Sequence, residues 1–539
     1  MKDTRIFANL IEAKKNERPD LDVLTFATLS TDGTINSQIR TYQNLWDNGQ
    51  RLANALVGAG MRRGDKFALL MQNHPEFVDA MVASSLIGSV FVPIDPRTDG
   101  DKLKYMIEFS GCKGVICADY CYKNLEKVAD QIDSIEWIWV MRTGEIPVIS
   151  SADNRISDYN AVQSETYEPV ECCIESPSEI MQMLYTSGTT GDPKAILAPY
   201  ERYDNVASIG PALGMKPDDR PYTGLSLTHA NAQLITLGNV LKMGMRGVIS
   251  RKFTKTHLWD ICRHYGCTVF NLLGGMTNAI YSEPRRDDDA DNPVRYVISA
   301  GMPGAIWNDF KKRFDVDIFE FYGAAEGGML FNPPNVGPIG SIGKPPESLV
   351  AKIVDDDGNE VPDGERGEIT FESANGEPLA VSYYKNEEAS RKKCRDGILY
   401  MGDIGHRDKD GWFFFHSRKG DELRRNGEFI DIAKIEKVIA EFPDVEDVFV
   451  YGIPASTGVP GEKDIVAAVV PTEAKIFKPT RLIEHCKQFL NSSEKPSFIQ
   501  LMSEIPKTAS EKPQARFCYE LFKAKKKHVY DCESELVVN

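Results

Sequence analysis

A run of small, hydroxyl-bearing and basic residues occupies residues 185–195, which read YTSGTTGDPKA. Its hydroxyl donors are Thr186, Ser187, Thr189 and Thr190. Gly188 and Gly191 let the backbone approach a ligand closely, because no Cβ stands in the way. Lys194 adds a compact positive charge. Successive backbone N–H groups in such a loop form a concavity for anions, so the run predicts a site for nucleotide phosphates.

Two further motifs carry groups that suit a nucleotide. Residues 320–328 read EFYGAAEGG and follow an apolar stretch. Tyr322 offers a flat face for a purine, and Glu326 offers a hard oxygen for Mg²⁺, which balances triphosphate charge. Residues 400–412 read YMGDIGHRDKDGW. The Asp403 carboxylate in this segment can accept hydrogen bonds from two hydroxyls at once, and its charge strengthens them.

Five motifs resemble, in order, the signatures of acyl-adenylate-forming enzymes, the superfamily of acyl-CoA synthetases, peptide-synthetase adenylation domains and luciferases. They are the three segments above, residues 416–436 (HSRKGDELRRNGEFIDIAKIE) and residues 506–516 (PKTASEKPQAR). The resemblance extends from residue 40 to residue 516 and so covers nearly all of the chain. Within the superfamily, the chain is most similar to small-acid CoA ligases of the crotonobetaine/carnitine type.

The resemblance implies a role for each matching residue. The implied nucleotide-binding residues are Thr186, Ser187, Gly188, Thr189, Thr190, Gly191, Lys194, Glu320, Tyr322, Ala325, Asp403, Arg418 and Gly427. Asp403 would bind both ribose hydroxyls, Arg418 would contact ribose or phosphate, and the loop at Gly427 would approach coenzyme A. Lys512 would be the catalytic lysine of adenylation, with Lys507 as the competing candidate. Thr186 and Glu326 complete the catalytic set, and Glu326 is the implied metal ligand.

The acyl pocket and the hinge are also implied. His229 in the segment LSLTHANAQ, together with Gly301 and Met302, would contact the acid. For His229, a buried histidine satisfied by a backbone carbonyl remains an equal alternative. Gly420 lies where the superfamily has its hinge residue, and glycine tolerates the large φ and ψ changes of a hinge.

The sequence departs from the superfamily pattern at three positions. Ala325 replaces the usual Thr, Gly420 replaces the usual Asp or Lys, and Glu511 replaces the usual Gly before Lys512. The loss of the hydroxyl at Ala325 leaves only its backbone for a phosphate contact. These departures keep open a second interpretation, a nucleotide-binding regulator that has lost catalysis.

Alternating helix and strand patterns position these motifs. Helical spacing begins at residue 42, and residues 66–71, 90–94 and 114–118 are predicted strands, separated by helices at residues 75–87 and 103–109. This rhythm implies parallel βαβ units and returns around residues 185–195 and 256–323. Short strands after residue 350 predict a small antiparallel unit. From Gly420 onward, the pattern predicts a compact mobile α+β domain, so residues 1–419 and 420–539 are the expected domains of an α/β protein.

Composition restricts the class of protein. The 539 residues carry 63 basic and 79 acidic side chains, a net charge of −16 that disfavours nucleic-acid binding. The eleven cysteines form no metal-binding pattern. The N-terminus lacks an apolar signal core, and no apolar run approaches the ~20 residues needed to cross a bilayer, so we expect a cytoplasmic protein without membrane insertion. The oligomeric state stays open, a homo-oligomer included.

The resemblance implies an ATP-dependent acyl-CoA ligase. Such an enzyme forms an acyl-AMP intermediate and then an acyl-CoA thioester, releasing pyrophosphate and AMP. ATP, Mg²⁺ and coenzyme A would act together with a small carboxylic acid. A related alternative is an enzyme that loads a carrier protein, although no carrier domain follows the Lys512 motif within this sequence.

Overall fold

The computed structural model describes residues 2–145, 153–186, 192–420, 423–425, 428–430, 432–456, 462–507, 513–524, 528–534 and 536–537. The chain divides into two compact units. The first comprises Met1–Asn271 with Val381–Arg391, and the second comprises Leu272–Ala380 with Lys392–Asn539. In the described part of the chain, no helix is both long enough and apolar enough to cross a bilayer.

The first unit alternates strands and helices. Its strands are β1 (Leu24–Leu29), β2 (Ile35–Arg40), β3 (Lys66–Leu70), β4 (Val90–Ile94), β5 (Cys112–Ala118), β6 (Trp137–Met141), β7 (Ile156–Asp158), β8 (Ile180–Thr186), β9 (Lys194–Pro199), β10 (Pro221–Thr223), β11 (Gly247–Ser250) and the first three residues of β12 (Val269–Leu273), whose last two belong to the second unit. Its helices are α1 (Phe7–Glu17), α2 (Tyr42–Gly58), α3 (Pro75–Ile87), α4 (Gly100–Ser110), α5 (Asp119–Ala129), α6 (Tyr200–Ala207), α7 (Asn239–Met243) and α8 (Leu258–Tyr265). A π-helical segment, Asn231–Gly238, precedes α7.

A seven-stranded sheet in the order β7-β6-β5-β3-β4-β8-β9 organises one part of this unit. Its neighbours are parallel except for β8 and β9, which pair antiparallel on either side of residues 187–193. Local residue types define both ends of helix α3. Pro75 begins the helix, and Gly88 follows its last residue with a φ of 69°, which favours glycine. The predicted parallel βαβ units are confirmed here.

The strands β2, β1, β11, β10 and β12 form a second set of neighbours in the first unit. β1 pairs antiparallel with β2, whereas β1–β11, β11–β10 and β10–β12 are parallel. β10 ends at Thr223, and residues 224–229, which include His229, form a loop between β10 and the π-helical segment.

The second unit contains three groups of elements. Its strands are β13 (Tyr296–Ala300), β14 (Asp317–Ala324), β15 (Gly327–Asn332), β16 (Leu349–Val354), β17 (Gly367–Ser373), β18 (Cys394–Arg395), β19 (Ile398–Arg407), β20 (Phe413–Arg418), β21 (Arg424–Arg425), β22 (Glu428–Phe429), β23 (Val445–Pro454), β24 (Lys463–Pro471), β25 (Phe498–Leu501) and β26 (Val529–Asp531). Its helices are α9 (Gly274–Tyr281), α10 (Trp307–Phe314), α12 (Ile432–Ala440), α13 (Pro479–Phe489) and α14 (Ala515–Ala524). Helix α11 (Glu387–Lys393) crosses the boundary between the units.

Within the second unit, β13 and β14 are parallel, and β14 turns back into β15 as a hairpin. The strands β16, β17, β19, β18 and β20 form the predicted small antiparallel sheet. The strands β23, β24, β25 and β26 form a four-stranded sheet whose apolar side chains pack with α12 and α13, which confirms the predicted α+β pattern near the C-terminus. The domain boundary at residue 420 stays a prediction.

Candidate functional site

The carboxyl ends of the parallel strands β13 and β14 form the base of the candidate site. Glu320 on β14 lies opposite Ser299 on β13, and its carboxylate accepts hydrogen bonds from the backbone N–H of Gly301 at 2.6 Å and of Met302 at 3.1 Å. Gly301 has a φ of 101°, which favours glycine. Glu320 therefore fixes the turn that carries two predicted substrate residues, and its own nucleotide contact stays a prediction.

The environment of Glu320 is unusually apolar for a carboxyl group. The residue is 2% exposed, and burial raises its pKa to about 8, although the two backbone N–H groups act in the opposite direction. A buried carboxyl held by two backbone donors is a rigid part of the turn. The loop at Gly301 and Met302 is therefore held in one conformation before a ligand binds at this sheet edge.

The β14–β15 hairpin places Ala325 and Glu326 at its tip, between the paired residues Ala324 and Gly327. Gly328, just beyond the tip, has a φ of 73°, and a Cβ there would lie 2.6 Å from the ring of Phe371. Only glycine fits this approach, because a side chain would meet both strain and a clash. The packing fixes the hairpin that carries the predicted metal ligand.

Tyr322, Asp403 and Arg418 are in direct contact. The Tyr322 hydroxyl donates a hydrogen bond to Asp403 Oδ2 at 2.5 Å, and Arg418 Nε lies 3.0 Å from Asp403 Oδ1. Asp403 and Arg418 are cross-strand partners on β19 and β20. The Asp403 side chain is 3% exposed, whereas that of Arg418 is 47% exposed. The structure thus brings together three residues that the sequence assigned to the nucleotide.

The Tyr322 side chain is held by ring stacking as well as by the hydrogen bond of its hydroxyl. It stacks on Phe371 with ring centroids 6.4 Å apart and planes inclined by 18°. Burial and the neighbouring Asp403 carboxylate raise the pKa of Tyr322 well above its usual value of 10. The phenol therefore stays protonated and remains a hydrogen-bond donor at physiological pH.

Lys393 is a basic residue near Asp403 and Glu326 that no sequence motif identifies. Its Nζ donates a hydrogen bond to the backbone oxygen of Met401 at 2.8 Å. Burial lowers the pKa of Lys393, while the carboxylates of Glu326 and Asp403 act to raise it. No sequence motif distinguishes Lys393 from the two basic residues that precede it, Arg391 and Lys392.

Thr186 and Lys194 belong to the first unit and are cross-strand partners at the ends of β8 and β9. The Thr186 hydroxyl lies 3.4 Å from the backbone oxygen of Lys194, and Lys194 Nζ lies 5.5 Å from the centre of the Tyr383 ring. The strands thus hold the two ends of the predicted phosphate loop. Ser187, Gly188, Thr189, Thr190 and Gly191 lie outside the described residues.

His229 lies in the loop after β10, which hydrogen bonds to the buried Asn73 hold in place. The Asn73 amide donates hydrogen bonds to the backbone oxygens of Leu225 and Ser250, both at 2.8 Å, and accepts one from the Leu227 N–H at 2.7 Å. His229 Nδ1 lies 3.2 Å from the backbone nitrogen of Asn231, which donates to it. The half-buried ring keeps both interpretations open, a pocket residue or a structural histidine.

The remaining predicted residues lie around the C-terminal segment. Gly420 has a φ of 94°, a conformation that few other residues adopt. Gly427 and Lys512 lie outside the described residues. Lys507, the competing candidate for the adenylation lysine, forms an ion pair with Asp447 at 2.6 Å, which gives it a structural partner.

Comparison with known proteins gives the family context of these residues. The chain matches the family model described as AMP-binding enzyme over residues 11–384, and the model described as AMP-binding enzyme C-terminal domain over residues 434–512.

Two curated relatives match along most of their length. The chain is 30% identical to the medium/long-chain-fatty-acid–CoA ligase FadD17 of Mycobacterium marinum, over 84% of this chain and 87% of that protein. It is 26% identical to the crotonobetaine/carnitine–CoA ligase of Salmonella typhimurium, over 88% of this chain and 91% of that protein.

A solved structure shares the fold. The crystal structure of the anthranilate CoA ligase AuaEII in complex with anthranoyl-AMP superposes with a TM-score of 0.79 and 23% identity, covering 96% of this chain and 98% of the other. The α/β fold predicted from the sequence is therefore confirmed by an independent structure.

Proposed function

The chain belongs to the AMP-binding enzyme family, as its motifs predict, and from this premise we propose that it is an ATP-dependent acyl-CoA ligase. The proposal is supported by the two relatives described above, which are CoA ligases. Its substrates would be a carboxylic acid, ATP and coenzyme A, and its products would be an acyl-CoA thioester, AMP and pyrophosphate.

The contact of Tyr322 and Arg418 with Asp403 is the observation that carries the proposal. A buried carboxylate held by a phenol and a guanidinium is a rigid acceptor, and the half-exposed Arg418 is accessible to a ligand. In the proposed site, Asp403 accepts hydrogen bonds from the ribose hydroxyls while the Tyr322 ring lies against the purine. The half-exposed Arg418 offers N–H groups to the ribose or a phosphate.

In the first half-reaction, a carboxylate oxygen of the acid attacks the α-phosphorus of ATP. A P–O bond forms, the bond to the β-phosphate oxygen breaks, and pyrophosphate leaves with the bonding electrons. Negative charge increases on the α-phosphate oxygens in the transition state. Lys512, together with the backbone and hydroxyls between Thr186 and Lys194, would stabilise that charge by preorganised electrostatics.

Magnesium fits the residues at the β14–β15 hairpin. Mg²⁺ in nucleotide sites binds one or two carboxylates and completes its shell with phosphates and water, so the single carboxylate of Glu326 suffices. In the described part of the chain, no cluster of three or more ligating side chains offers a cage for a tightly bound metal. The ion would supply charge neutralisation to the triphosphate, and Glu326 would hold it there.

In the second half-reaction, the coenzyme A thiolate attacks the acyl carbonyl carbon. A C–S bond forms, the bond between the acyl carbon and the phosphate oxygen breaks, and AMP leaves. We propose that rotation about Gly420 replaces the Lys512 loop with the Gly427 loop between the two steps. A hinge at a glycine with positive φ is supported by the wide backbone freedom of that residue.

The acid is best identified by direct screening. The proposed test measures AMP release from ATP with a panel of short, branched, aromatic, betaine and fatty acids, with and without coenzyme A. An acyl-CoA ligase releases AMP steadily only when both the acid and coenzyme A are present. Failure of every acid in the panel would contradict the proposal, and acid-dependent adenylation without any AMP release on addition of coenzyme A would favour a carrier-loading enzyme.

A further inference from the structure

Glu368 on β17 contacts one residue next to each member of the Asp403–Arg418 pair: the Gly402 backbone and the Lys419 side chain. Its Oε1 accepts a hydrogen bond from the Gly402 N–H at 2.9 Å, and its Oε2 accepts one from Lys419 Nζ at 3.0 Å. Gly402 immediately precedes Asp403, and Lys419 immediately follows Arg418. The Glu368 side chain is 7% exposed, so this carboxylate is almost fully removed from water.

A backbone hydrogen bond also links the two residues that Glu368 contacts. The Lys419 N–H, just after β20, donates to the carbonyl oxygen of Gly402 in β19 at 2.9 Å, beside the pair. The two oxygens of a single carboxylate therefore bind Gly402 in β19 and Lys419 directly after β20. Both of these residues adjoin a side chain that the proposed site uses.

Regular strand pairing does not hold this segment by itself. The pairing of β17 with β19 shifts register between Glu368 and Thr370, and that of β19 with β20 shifts between Ile404 and Gly405. Gly402 has a φ of 70°, which departs from extended strand geometry. Because the ladder is locally disrupted there, the hydrogen bond from the Gly402 N–H to Glu368 contributes to holding the backbone.

We propose that Glu368 is a positioning residue that sets the direction of the Asp403 carboxylate toward the ribose of the nucleotide. It acts through the Gly402 N–H and through Lys419, without touching the ligand. Because the ribose contact of Asp403 is part of the proposed function, this inference rests on that proposal. Charged hydrogen bonds to a buried carboxylate are strong, so their loss lets the Asp403 segment relax.

The second carboxylate near Lys419 provides a matched control. Asp356 Oδ1 lies 2.9 Å from Lys419 Nζ, but its side chain is 90% exposed, so solvent screens the pair. Both Glu368 and Asp356 neutralise Lys419, yet only Glu368 also binds Gly402. A change at Asp356 therefore removes a charge beside Lys419 and leaves the backbone contact intact.

The test measures ribose selectivity rather than activity. Titration calorimetry gives the affinities for AMP and 2′-deoxy-AMP in the wild type, Glu368→Ala, Glu368→Gln, Lys419→Met and Asp356→Asn, with thermal melting to confirm folding. Glu368→Ala should lower the preference for AMP over 2′-deoxy-AMP by about threefold or more, because a misplaced Asp403 loses part of a charged hydrogen bond. Glu368→Gln keeps an acceptor for Gly402 and should lose less. Asp356→Asn should match the wild type.

The selectivity ratios of these variants decide whether Glu368 positions Asp403. A folded Glu368→Ala variant with wild-type selectivity overturns it, because a merely structural role would change the melting temperature and leave the ratio unchanged. If Glu368→Ala does not fold, wild-type ratios in both Glu368→Gln and Lys419→Met overturn it. Absence of ribose selectivity in the wild type also overturns it. Failure of acid-dependent adenylation with a normal selectivity pattern would instead refute the proposed function alone.

Discussion

The Tyr322 hydroxyl donates a 2.5 Å hydrogen bond to Asp403 Oδ2, across 81 residues of sequence. The aromatic residue proposed for the purine and the carboxylate proposed for the ribose are therefore one hydrogen-bonded unit. Because Tyr322 stays protonated at physiological pH, it always donates, and Asp403 is always oriented by it. The two residues should respond together when either is changed.

Tyr322→Phe removes the donor while keeping the aromatic ring. Asp403 would then lose a hydrogen-bond donor in a buried setting, so we expect ATP affinity to fall by about threefold to tenfold. Titration calorimetry measures this directly. Tyr400→Phe is the matched control, since Tyr400 lies on the same strand β19, three residues from Asp403 and on the opposite face. Equal affinities of Tyr322→Phe and wild type would show that the hydrogen bond does not orient the nucleotide site.

Asp403→Ala removes the proposed acceptor of both ribose hydroxyls. Charged hydrogen bonds are worth roughly 1.5–3 kcal/mol each, so ATP affinity should fall at least about tenfold. Asp410→Ala, an exposed carboxylate in the turn that follows β19, should bind ATP like the wild type. Unchanged ATP affinity in a folded Asp403→Ala variant would rule out the ribose role.

Lys512→Ala should abolish acyl-adenylate formation and leave thioester formation from supplied acyl-AMP largely intact. The control is Lys507→Ala, because Lys507 is paired with Asp447 and should affect stability more than the adenylation rate. Pyrophosphate exchange and thioester formation would be measured on the same preparations. If Lys507→Ala selectively loses adenylation and Lys512→Ala does not, the two assignments must be exchanged.

Gly420→Pro should separate the two half-reactions. Proline fixes φ near about −65°, so it cannot adopt the φ of 94° at this position. The half-reaction that uses the described backbone conformation should be lost, and the other should persist. Gly376→Pro is the control, because Gly376 has a φ of 79° in an exposed turn away from the predicted hinge. A folded Gly420→Pro variant that keeps both rates would show that Gly420 is an ordinary linker residue.

The buried carboxyl of Glu320 predicts a pH dependence of stability. Its pKa is raised from 4.5 to about 8, so between these values the folded state binds the proton and the unfolded chain releases it. Stability from this group is therefore full below the unfolded pKa and is lost as pH rises toward about 8. The free energy of unfolding of the wild type, relative to Glu320→Gln, should fall by about 1.4 kcal/mol per pH unit in this window.

Urea unfolding at several pH values measures this difference. Glu347→Gln, an exposed carboxylate of the same unit, should leave the pH dependence of the wild type unchanged. A constant difference between wild type and Glu320→Gln from acid to neutral pH would show that folding does not raise the pKa of Glu320.

The sequence predicted elements wherever local signals define them. The bounds of α3 follow from Pro75 at its start and the left-handed Gly88 at its end, and the structure confirms both. The π-helical segment Asn231–Gly238 was missed, because an apolar helical pattern does not reveal how its hydrogen bonds are spaced. Leu225 and Leu227 are apolar, yet they lie in a loop held by Asn73, which their apolar character does not reveal.

The sequence predicts individual residues of the candidate site but not the contacts between them. Motifs pointed to Tyr322, Asp403 and Arg418, yet their contacts depend on how β14, β19 and β20 pack, which spacing along the chain does not encode. Glu368 lies among the charged turn residues of the segment DGERGE, and nothing local separates it from Glu365. Its burial and its two contacts appear only when β17 pairs with β19.

Acid-dependent exchange of pyrophosphate into ATP, measured without coenzyme A, tests the central claim most directly. An enzyme that forms acyl-AMP reverses that step, so labelled pyrophosphate should enter ATP only when the correct acid is present. Addition of coenzyme A should then divert the intermediate to AMP and acyl-CoA. Absence of exchange with every acid of the panel, in a protein that binds AMP, would contradict the account, as would exchange that requires coenzyme A.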